Sequence, residues 1–257
     1  MANYKIDIIP VFNDNYVFIF TCLKTRVTAC IDPADSKPVT KLLEQQNLKL
    51  DYILNTHHHF DHVGGNKTLK AKFNCKIAGF SGDEKRIPEI DIKLNDQDNI
   101  QIGSYEFKIL FVPGHTKGHI AYYSKEAKAL FVGDTLFSSG CGRLFEGTAE
   151  EMYKSLAKIK KLPKDTQIYC AHEYTLANIK FALSLEPNNK KLIAKKERCI
   201  ELRKKELPTI PTNLQEELET NPFLRTLDPE LRKNSGKTTD SYHEEVFARI
   251  RKMKDNF

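Results

Sequence analysis

Nine histidine and aspartate side chains in four short motifs constrain this chain more than any other feature of its sequence. The first motif, THHHFDH at Thr56–His62, follows a short apolar strand pattern and precedes a Gly-Gly turn. In an extended segment alternate side chains share one side, so His57, His59 and Asp61 can converge, while His62 comes round through the turn. Such a loop offers nitrogen and carboxylate ligands close together, which predicts a metal site.

Three later motifs each come where a predicted strand ends. They are PGHTKGH, GDT and AHE, which contain His115, Asp134 and His172 respectively. Ligands carried on loops at strand ends and held by a rigid sheet are a common way to build a site. A single GD or AH is more often a turn or a satisfied polar residue. Together and in this order, the motifs strengthen the prediction of a metal site.

The composition is that of an ordinary globular protein. Of the 257 residues, 40% are apolar and 29% are charged, with a formal net charge of +6. This excludes a collagen, a disordered tail protein and a disulfide-dense miniprotein. Basic residues are interleaved with acidic ones along the chain, so the charge does not indicate a nucleic-acid partner.

The cellular location of the protein is predicted from the spacing of its cysteines and the length of its apolar runs. No stretch approaches the roughly 18 apolar residues of a membrane helix. The start of the chain lacks an apolar core followed by a small-residue cleavage site, so we expect no secretory signal. Six scattered cysteines without a CxxC pair favour reduced thiols. We therefore expect a cytoplasmic protein without a membrane partner.

The predicted elements change character near residue 175. Before it, β-rich runs such as Ile6–Phe12 dominate, with occasional helices such as Ala149–Lys160. After it, strand patterns disappear and Pro-bearing loops join three predicted helices, at Thr175–Leu185, Asn188–Lys205 and Ser241–Met253. The sequence therefore predicts two domains, residues 1–174 and residues 175–257.

The motifs HHHFDH, PGHTKGH, GDT and AHE, in this order, resemble those of the metallo-β-lactamase superfamily. The resemblance extends over nearly the whole chain, in the stretches Thr56–Asn66, Gly133–Thr148, Cys170–Thr175, Asn221–Arg225 and Arg251–Phe257. It implies an α+β fold, an αβ/βα sandwich with a two-metal site at one edge. Residues 1–174 would form this catalytic domain, and residues 175–257 a helical substrate-binding domain.

The resemblance also implies a ligand set. One divalent cation would be held by His57, His59 and His115, a second by Asp61, His62 and His172, and Asp134 would bridge both. Imidazole and carboxylate ligands suit zinc, which we expect first, and also iron or manganese. Two such cations lower the pKa of a bridging water to about 7 and polarise a carbonyl group. Asp61 and Asp134 would be the catalytic carboxylates.

Within the superfamily, the chain is most similar to members that cleave glutathione thioesters. The resemblance implies that Arg143, Arg251 and Lys254 bind the carboxylates of glutathione and that Tyr174 hydrogen-bonds its backbone. Phe145 stands where a tyrosine is common, so one hydroxyl contact is missing. The implied reaction is hydrolysis of S-D-lactoylglutathione to D-lactate and glutathione, the second step of methylglyoxal detoxification. The partner would be this small molecule and the chain a monomer.

Alternative functions remain open at this stage. A sulfur dioxygenase with one iron would not need Asp61, His62 and His172 together. A less selective thioesterase would not need the carboxylate-binding cations, and a nuclease would want a basic groove instead. A nucleic-acid-binding or scaffolding protein with a decayed site would lack an intact ligand set.

Four further residues have weaker claims to a role. We expect His58 to point away from the site and His119 to steady a ligand. His243 is predicted at the surface of a charged helix. Cys141, between two glycines in the loop after Asp134, is predicted to be structural rather than nucleophilic.

Overall fold

The computed structural model describes residues 3–238 and 240–257. The backbone divides into two compact units, each built from two segments of the chain. Unit 1 comprises residues 1–111 and 118–133, and unit 2 comprises residues 112–117 and 134–257. Among the residues described, no helix is both long and apolar enough to span a membrane.

Unit 1 contains a six-stranded mixed sheet. Its strands, in both chain and spatial order, are β1 (Tyr4–Val11), β2 (Asn15–Cys22), β3 (Thr28–Ile31), β4 (Tyr52–Leu54), β5 (Lys76–Phe80) and β6 (Ile92–Leu94). Strands β1 to β3 are antiparallel, whereas β3 to β6 are parallel. The crossovers carry helices α1 (Ser36–Gln45), α2 (Phe60–Val63) and α3 (Asn66–Phe73).

The parallel register decides where the polar residues of unit 1 meet. Ile31 at the end of β3 pairs with Leu54 at the end of β4. Parallel strands present their carboxyl ends at the same sheet edge, which is where open α/β sheets bind ligands. Asp32 and Thr56, just beyond those ends, are therefore brought together.

Two layers cover the mixed sheet within unit 1. Helices α1 and α3 pack their apolar side chains, including Val39 and Leu69, into a core with Ile53. On the other face lie the antiparallel strands β7 (Asn99–Ile102), β8 (Tyr105–Phe111), β9 (Ile120–Ser124) and β10 (Ala129–Gly133). Phe20 of β2 meets Phe107 of β8 edge to face, with ring centroids 5.0 Å apart. Unit 1 is thus a sandwich of two sheets with helices outside.

Unit 2 is mainly helical. Its helices are α4 (Ala149–Ile159), α5 (Thr175–Leu185), α6 (Lys190–Lys204), α7 (Leu214–Thr220), α8 (Pro229–Asn234) and α9 (His243–Asp255). Its short strands form two antiparallel pairs, β11 (Leu136–Phe137) with β12 (Gly140–Cys141), and β13 (Gln167–Cys170) with β14 (Thr212–Asn213). Helix α4 begins with a capping box, in which Thr148 and Glu151 satisfy each other's backbone amides.

The predicted α+β class is confirmed, and Thr175–Leu185 is the helix that was predicted. The other predicted helices shift by one or two residues at their ends. The prediction that strands end before residue 175 is wrong for β14, whose two residues are too few to leave an alternating pattern. The boundary between residues 174 and 175 stays a prediction.

Candidate metal centre

Unit 1 places four of the predicted ligands on one loop. After β4 the chain runs through His57 and His59 into the one-turn helix α2, which carries Asp61 and His62. Nε2 of His57 lies 3.0 Å from Nδ1 of His59, and Nε2 of His62 lies 3.6 Å from Oδ2 of Asp61. His57 and His59 therefore converge as the sequence predicted, and Asp61 lies beside His62. Asn15 holds Asp61 in place by donating to its Oδ2 at 2.9 Å.

Unit 2 places the other three predicted ligands together, with two histidines beside one carboxylate. Oδ2 of Asp134 lies 3.4 Å from Nε2 of His115 and 3.4 Å from Nε2 of His172. Asp134 is 6% exposed and both histidines are 4% exposed. Gly142 allows the close packing here, because a Cβ at that position would lie 1.9 Å from the backbone oxygen of Asp134.

The donor chemistry and spacing in both units fit divalent cations. Two ligand atoms that are each about 2.1 Å from a tetrahedral ion lie roughly 3.4 Å apart. The separations of 3.0 to 3.6 Å around His59, Asp61 and Asp134 match this value. Imidazole nitrogens and carboxylate oxygens are ligands that such ions accept. The histidine and aspartate clusters thus indicate a site for divalent metal ions.

Hydrogen bonds at Nδ1 of His115 and of His62 determine which nitrogen of each ring is left to bind a metal ion. Nδ1 of His115 lies 2.8 Å from the backbone oxygen of Arg143. A carbonyl oxygen only accepts, so His115 carries its hydrogen on Nδ1 and presents Nε2 as a ligand atom. In unit 1, Nδ1 of His62 lies 3.0 Å from Oδ2 of the buried Asp32. The same reasoning assigns Nε2 of His62 as its ligand atom.

The histidines outside the predicted ligand set also have defined surroundings. The ring of His119 is stacked on that of His57, with centroids 4.7 Å apart, in agreement with the expected steadying role. Nδ1 of His58 lies 3.2 Å from Oδ2 of Asp83, whose Oδ1 accepts two hydrogen bonds from Arg86. His58 is thus anchored rather than a solvated loop residue. His243 begins α9, where its Nδ1 accepts from Arg232 at 2.8 Å.

Two of the predicted substrate-binding residues place their aromatic rings against predicted ligands. The ring of Tyr174 is parallel to that of His172, with centroids 4.8 Å apart. The ring of Phe145 meets that of His115 at 63°, with centroids 5.1 Å apart, and Phe145 is 63% exposed. Both exposed rings thus lie beside predicted metal ligands.

The predicted cations of unit 2 differ in accessibility. Arg143 is exposed, whereas Arg251 is 4% exposed and donates from Nη1 to the backbone oxygen of Cys141 at 2.8 Å. Lys254 is half-buried and donates to the backbone oxygen of Ala177 at 3.3 Å. Burial, followed by the neighbouring charges of Arg251 and Arg143, holds the pKa of Lys254 below its ordinary value of 10.5. The positive charges of Arg251 and Arg143 therefore act on the ammonium group of Lys254.

Cys141 has the environment of a structural thiol. Burial raises its pKa to about 11, although the guanidinium of Arg251 works in the opposite direction. A thiol with so high a pKa is a poor nucleophile at neutral pH. This supports the structural role expected from the sequence. All six cysteines are buried and free, in agreement with the expected reduced thiols.

Sequence reasoning missed two buried aspartates: Asp32, which contacts the predicted ligand His62, and Asp83, which contacts His58 outside the predicted ligand set. Asp32 is 2% exposed and accepts from Thr56 and His62, and Asp83 is equally buried beside His58. The only local signal for Asp32 is its place directly after an apolar strand. For Asp83 the sequence offers none, because its contact lies 25 residues away.

A family model for the metallo-beta-lactamase superfamily matches residues 28–172. Among solved structures, ETHE1 from Myxococcus xanthus aligns with a TM-score of 0.70 and 22% identity, over 96% of this chain and 90% of that one. The B3 metallo-beta-lactamase BLEG-1 aligns with a TM-score of 0.68 and 21% identity, over 86% of this chain and 100% of that one. At these identities the structures support the fold alone. The fold and the ligand motifs are therefore those of the metallo-β-lactamase superfamily, as the sequence resemblance predicted.

Residues 173–257 match the family model described as the hydroxyacylglutathione hydrolase C-terminus. Curated hydroxyacylglutathione hydrolases match nearly the full length. That of Methylococcus capsulatus is 48% identical over 97% of both chains, and that of Pelagibacter ubique is 47% identical over 98% of this chain and 100% of the other. That of Rhodospirillum rubrum is 45% identical over the whole of both. The chain belongs to the hydroxyacylglutathione hydrolase family, also called glyoxalase II.

Proposed function

We propose that this protein hydrolyses S-D-lactoylglutathione to D-lactate and glutathione. The observation that carries the proposal is the match to hydroxyacylglutathione hydrolases at 45 to 48% identity over nearly the full chain. The histidine and aspartate donors of both units support it, because they suit a hydrolytic metal centre. The reaction is the second step of methylglyoxal detoxification.

The site binds two divalent ions per chain, zinc before iron or manganese. One ion would be held by His57, His59 and His115, the other by Asp61, His62 and His172, and Asp134 would be a ligand common to both. When bound, such ions would supply a hydroxide nucleophile at neutral pH and polarise the thioester carbonyl group. The protein's part is to hold its ligands in the correct tautomer, as the bond from His115 to the Arg143 backbone oxygen does.

Glutathione is recognised by cationic and aromatic groups of unit 2. The exposed Arg143 and the half-buried Lys254 bind its carboxylates, with Arg251 contributing from behind. Tyr174 contributes its hydroxyl group and Phe145 an apolar surface. The thiolate leaves readily because its conjugate thiol has a pKa of about 8.5. The protein acts on this small molecule as a cytoplasmic monomer, without nucleic-acid or membrane partners.

Two measurements test the proposal. Metal analysis after purification without chelators should give about two ions per chain. Loss of thioester absorbance should be fast with S-D-lactoylglutathione and slow with a thioester of similar acyl group that lacks glutathione. One ion or none would refute the two-metal site, and equal rates on both thioesters would refute glutathione specificity. The Asp134→Asn variant should lose activity, whereas Asp83→Asn, a buried carboxylate that contacts no predicted ligand side chain, should keep it.

A further inference from the structure

We propose that Asp32 is a positioning residue shared by the two predicted metal ions, because its carboxylate orients one histidine ligand of each. This inference rests on the two-metal site of the proposed function and adds a residue outside its ligand set. Asp32 directly follows β3 with a φ of 50°, a left-handed conformation that a residue other than glycine rarely adopts. Backbone strain of this kind is retained where the surrounding contacts require it.

Three hydrogen bonds converge on the buried carboxylate of Asp32. Oδ1 accepts from the backbone amide of Thr56 at 2.7 Å. Oδ2 accepts from the hydroxyl group of Thr56 at 2.7 Å and from Nδ1 of His62 at 3.0 Å. Asp32 is 2% exposed, Thr56 0% and His62 1%. Water therefore does not compete for these bonds, which makes them stronger than surface contacts of the same length.

The Thr56 hydroxyl group extends the influence of Asp32 to a second ligand. Its oxygen lies 3.0 Å from Nδ1 of His57. The hydroxyl group has one hydrogen and donates it to Asp32, so towards His57 it can only accept. His57 therefore carries its hydrogen on Nδ1 and presents Nε2 as the ligand atom. One carboxylate thus selects the Nδ1-protonated tautomer of both His57 and His62.

Gly133 makes room for the Thr56 hydroxyl group. Gly133 has a φ of 48°, and a Cβ there would lie 2.3 Å from Oγ1 of Thr56. On its other side His57 is stacked on His119. The glycine of the GDT motif is therefore explained by the space that Thr56 needs, and the relay from Asp32 to His57 is fixed by its surroundings.

The arrangement predicts that substitutions of Asp32 and of Thr56 affect metal affinity differently. In the proposed assignment, His57 belongs to one metal ion and His62 to the other. Asp32→Asn should weaken both ions, because asparagine has a single acceptor oxygen and its amide group must face a donor. Thr56→Val should weaken binding of only the ion that His57 holds, and Thr56→Ser should leave the binding of both ions unchanged. Loss of a group that orients a ligand typically costs about 10- to 100-fold in metal affinity.

The experiment measures zinc affinity of the full-length protein by competition with a chromophoric chelator. The matched control is Asp83→Asn, since Asp83 is as buried as Asp32 but pairs with His58, which is outside the predicted ligand set. We expect two affinities lowered by about 10- to 100-fold in Asp32→Asn, one in Thr56→Val, and neither in Thr56→Ser or Asp83→Asn. Wild-type affinities in Asp32→Asn, or an equal loss in Asp83→Asn, would overturn the inference.

A second measurement covers the case in which Asp32→Asn does not fold. Nitrogen-15 NMR of the zinc-loaded wild type reports the tautomer of each histidine. His57 and His62 should both carry hydrogen on Nδ1, and hydrogen on Nε2 of either would overturn the inference. If the wild type itself holds fewer than two ions, the proposed function fails and this inference falls with it. If the wild type holds two and Asp32→Asn holds them equally well, only the inference fails.

Discussion

The aromatic ring of Tyr174 lies parallel to the imidazole of His172, with the two planes 4° apart and the centroids separated by 4.8 Å. Phe137 meets both rings edge to face, at 5.3 Å from Tyr174 and 5.8 Å from His172. The predicted substrate contact and the predicted metal ligand thus share one aromatic cluster. Substitutions of Tyr174 can separate substrate binding from support of the metal ligand, because the hydroxyl group is predicted to bind substrate and the ring stacks on His172.

Tyr174→Phe should affect substrate binding alone. The ring stack on His172 remains, so metal content should not change, whereas loss of one hydrogen bond of about 0.5 to 1.5 kcal/mol should raise KM roughly 2- to 10-fold. Tyr174→Ala removes the stack as well and should also weaken metal binding. Kinetics and metal analysis of both variants check this. Equal metal loss in the two variants would contradict the division of roles.

Arg143→Ala should raise KM without altering the metal site. His115 is oriented by the backbone oxygen of Arg143, which the substitution retains. Because the guanidinium is exposed, its hydrogen bond to the substrate should contribute about 1.5 kcal/mol of binding free energy, the low end of the range for charged hydrogen bonds. Its loss should therefore raise KM roughly 10-fold. Arg143→Lys is the charge-retaining control and should lie close to the wild type. A fall in zinc stoichiometry in Arg143→Ala would contradict this separation.

Phe145→Tyr should improve binding of the glutathione thioester. Phe145 is 63% exposed, so the added hydroxyl group needs no new burial and stability should change by no more than about 0.5 kcal/mol. A new hydrogen bond to glutathione should lower KM by roughly 2- to 10-fold. Paired assays with a thioester that lacks glutathione provide the control. The same decrease for both substrates would argue against a specific contact.

The sequence predicted most of the ligand loops because each motif is short and directly follows a strand pattern. It did not predict the one-turn helix α2, since four residues show no helical period. Nor could it connect Asp32 with His62, 30 residues away, or Arg251 with Cys141, 110 residues away. Such pairs depend on the strand order of unit 1 and on how α9 packs within unit 2. Local pattern carries no information about either.

Lys254 should make ligand affinity sensitive to alkaline pH. Burial and the charges of Arg251 and Arg143 lower its pKa from 10.5, so its ammonium group loses its proton below that value. Binding of a glutathione carboxylate needs the charged form and should therefore weaken as pH rises through the lowered pKa. For the fold the sign is the reverse, because the unfolded chain binds this proton more tightly and stability rises with pH in the same window.

The inhibition constant of S-methylglutathione, measured between about pH 8 and about pH 10, isolates this effect when compared with Lys254→Arg. Arginine stays charged throughout, and titration of the inhibitor itself affects both proteins equally. We expect the wild type to lose affinity more steeply than the variant. Parallel curves would show that Lys254 does not hold the carboxylate.

Arg251→Ala should reduce stability, which complicates any reading of its kinetics. The guanidinium is buried, donates to the backbone oxygen of Cys141 at 2.8 Å, lies 2.9 Å from Asp255 and sits over the ring of Phe223. Loss of its charged hydrogen bond should lower the free energy of unfolding by about 1.5 to 3 kcal/mol.

Asp255→Asn is the matched control for Arg251→Ala. Asp255 has a side chain that is 43% exposed, so the ion pair it makes with Arg251 should contribute no more than about 1 kcal/mol. Denaturant unfolding of both variants, with KM measured where each is fully folded, separates the roles. A rise in KM for Arg251→Ala under those conditions supports a contact with glutathione. Unchanged stability in Arg251→Ala would contradict a stabilising role for the hydrogen bond from this side chain to Cys141 of β12.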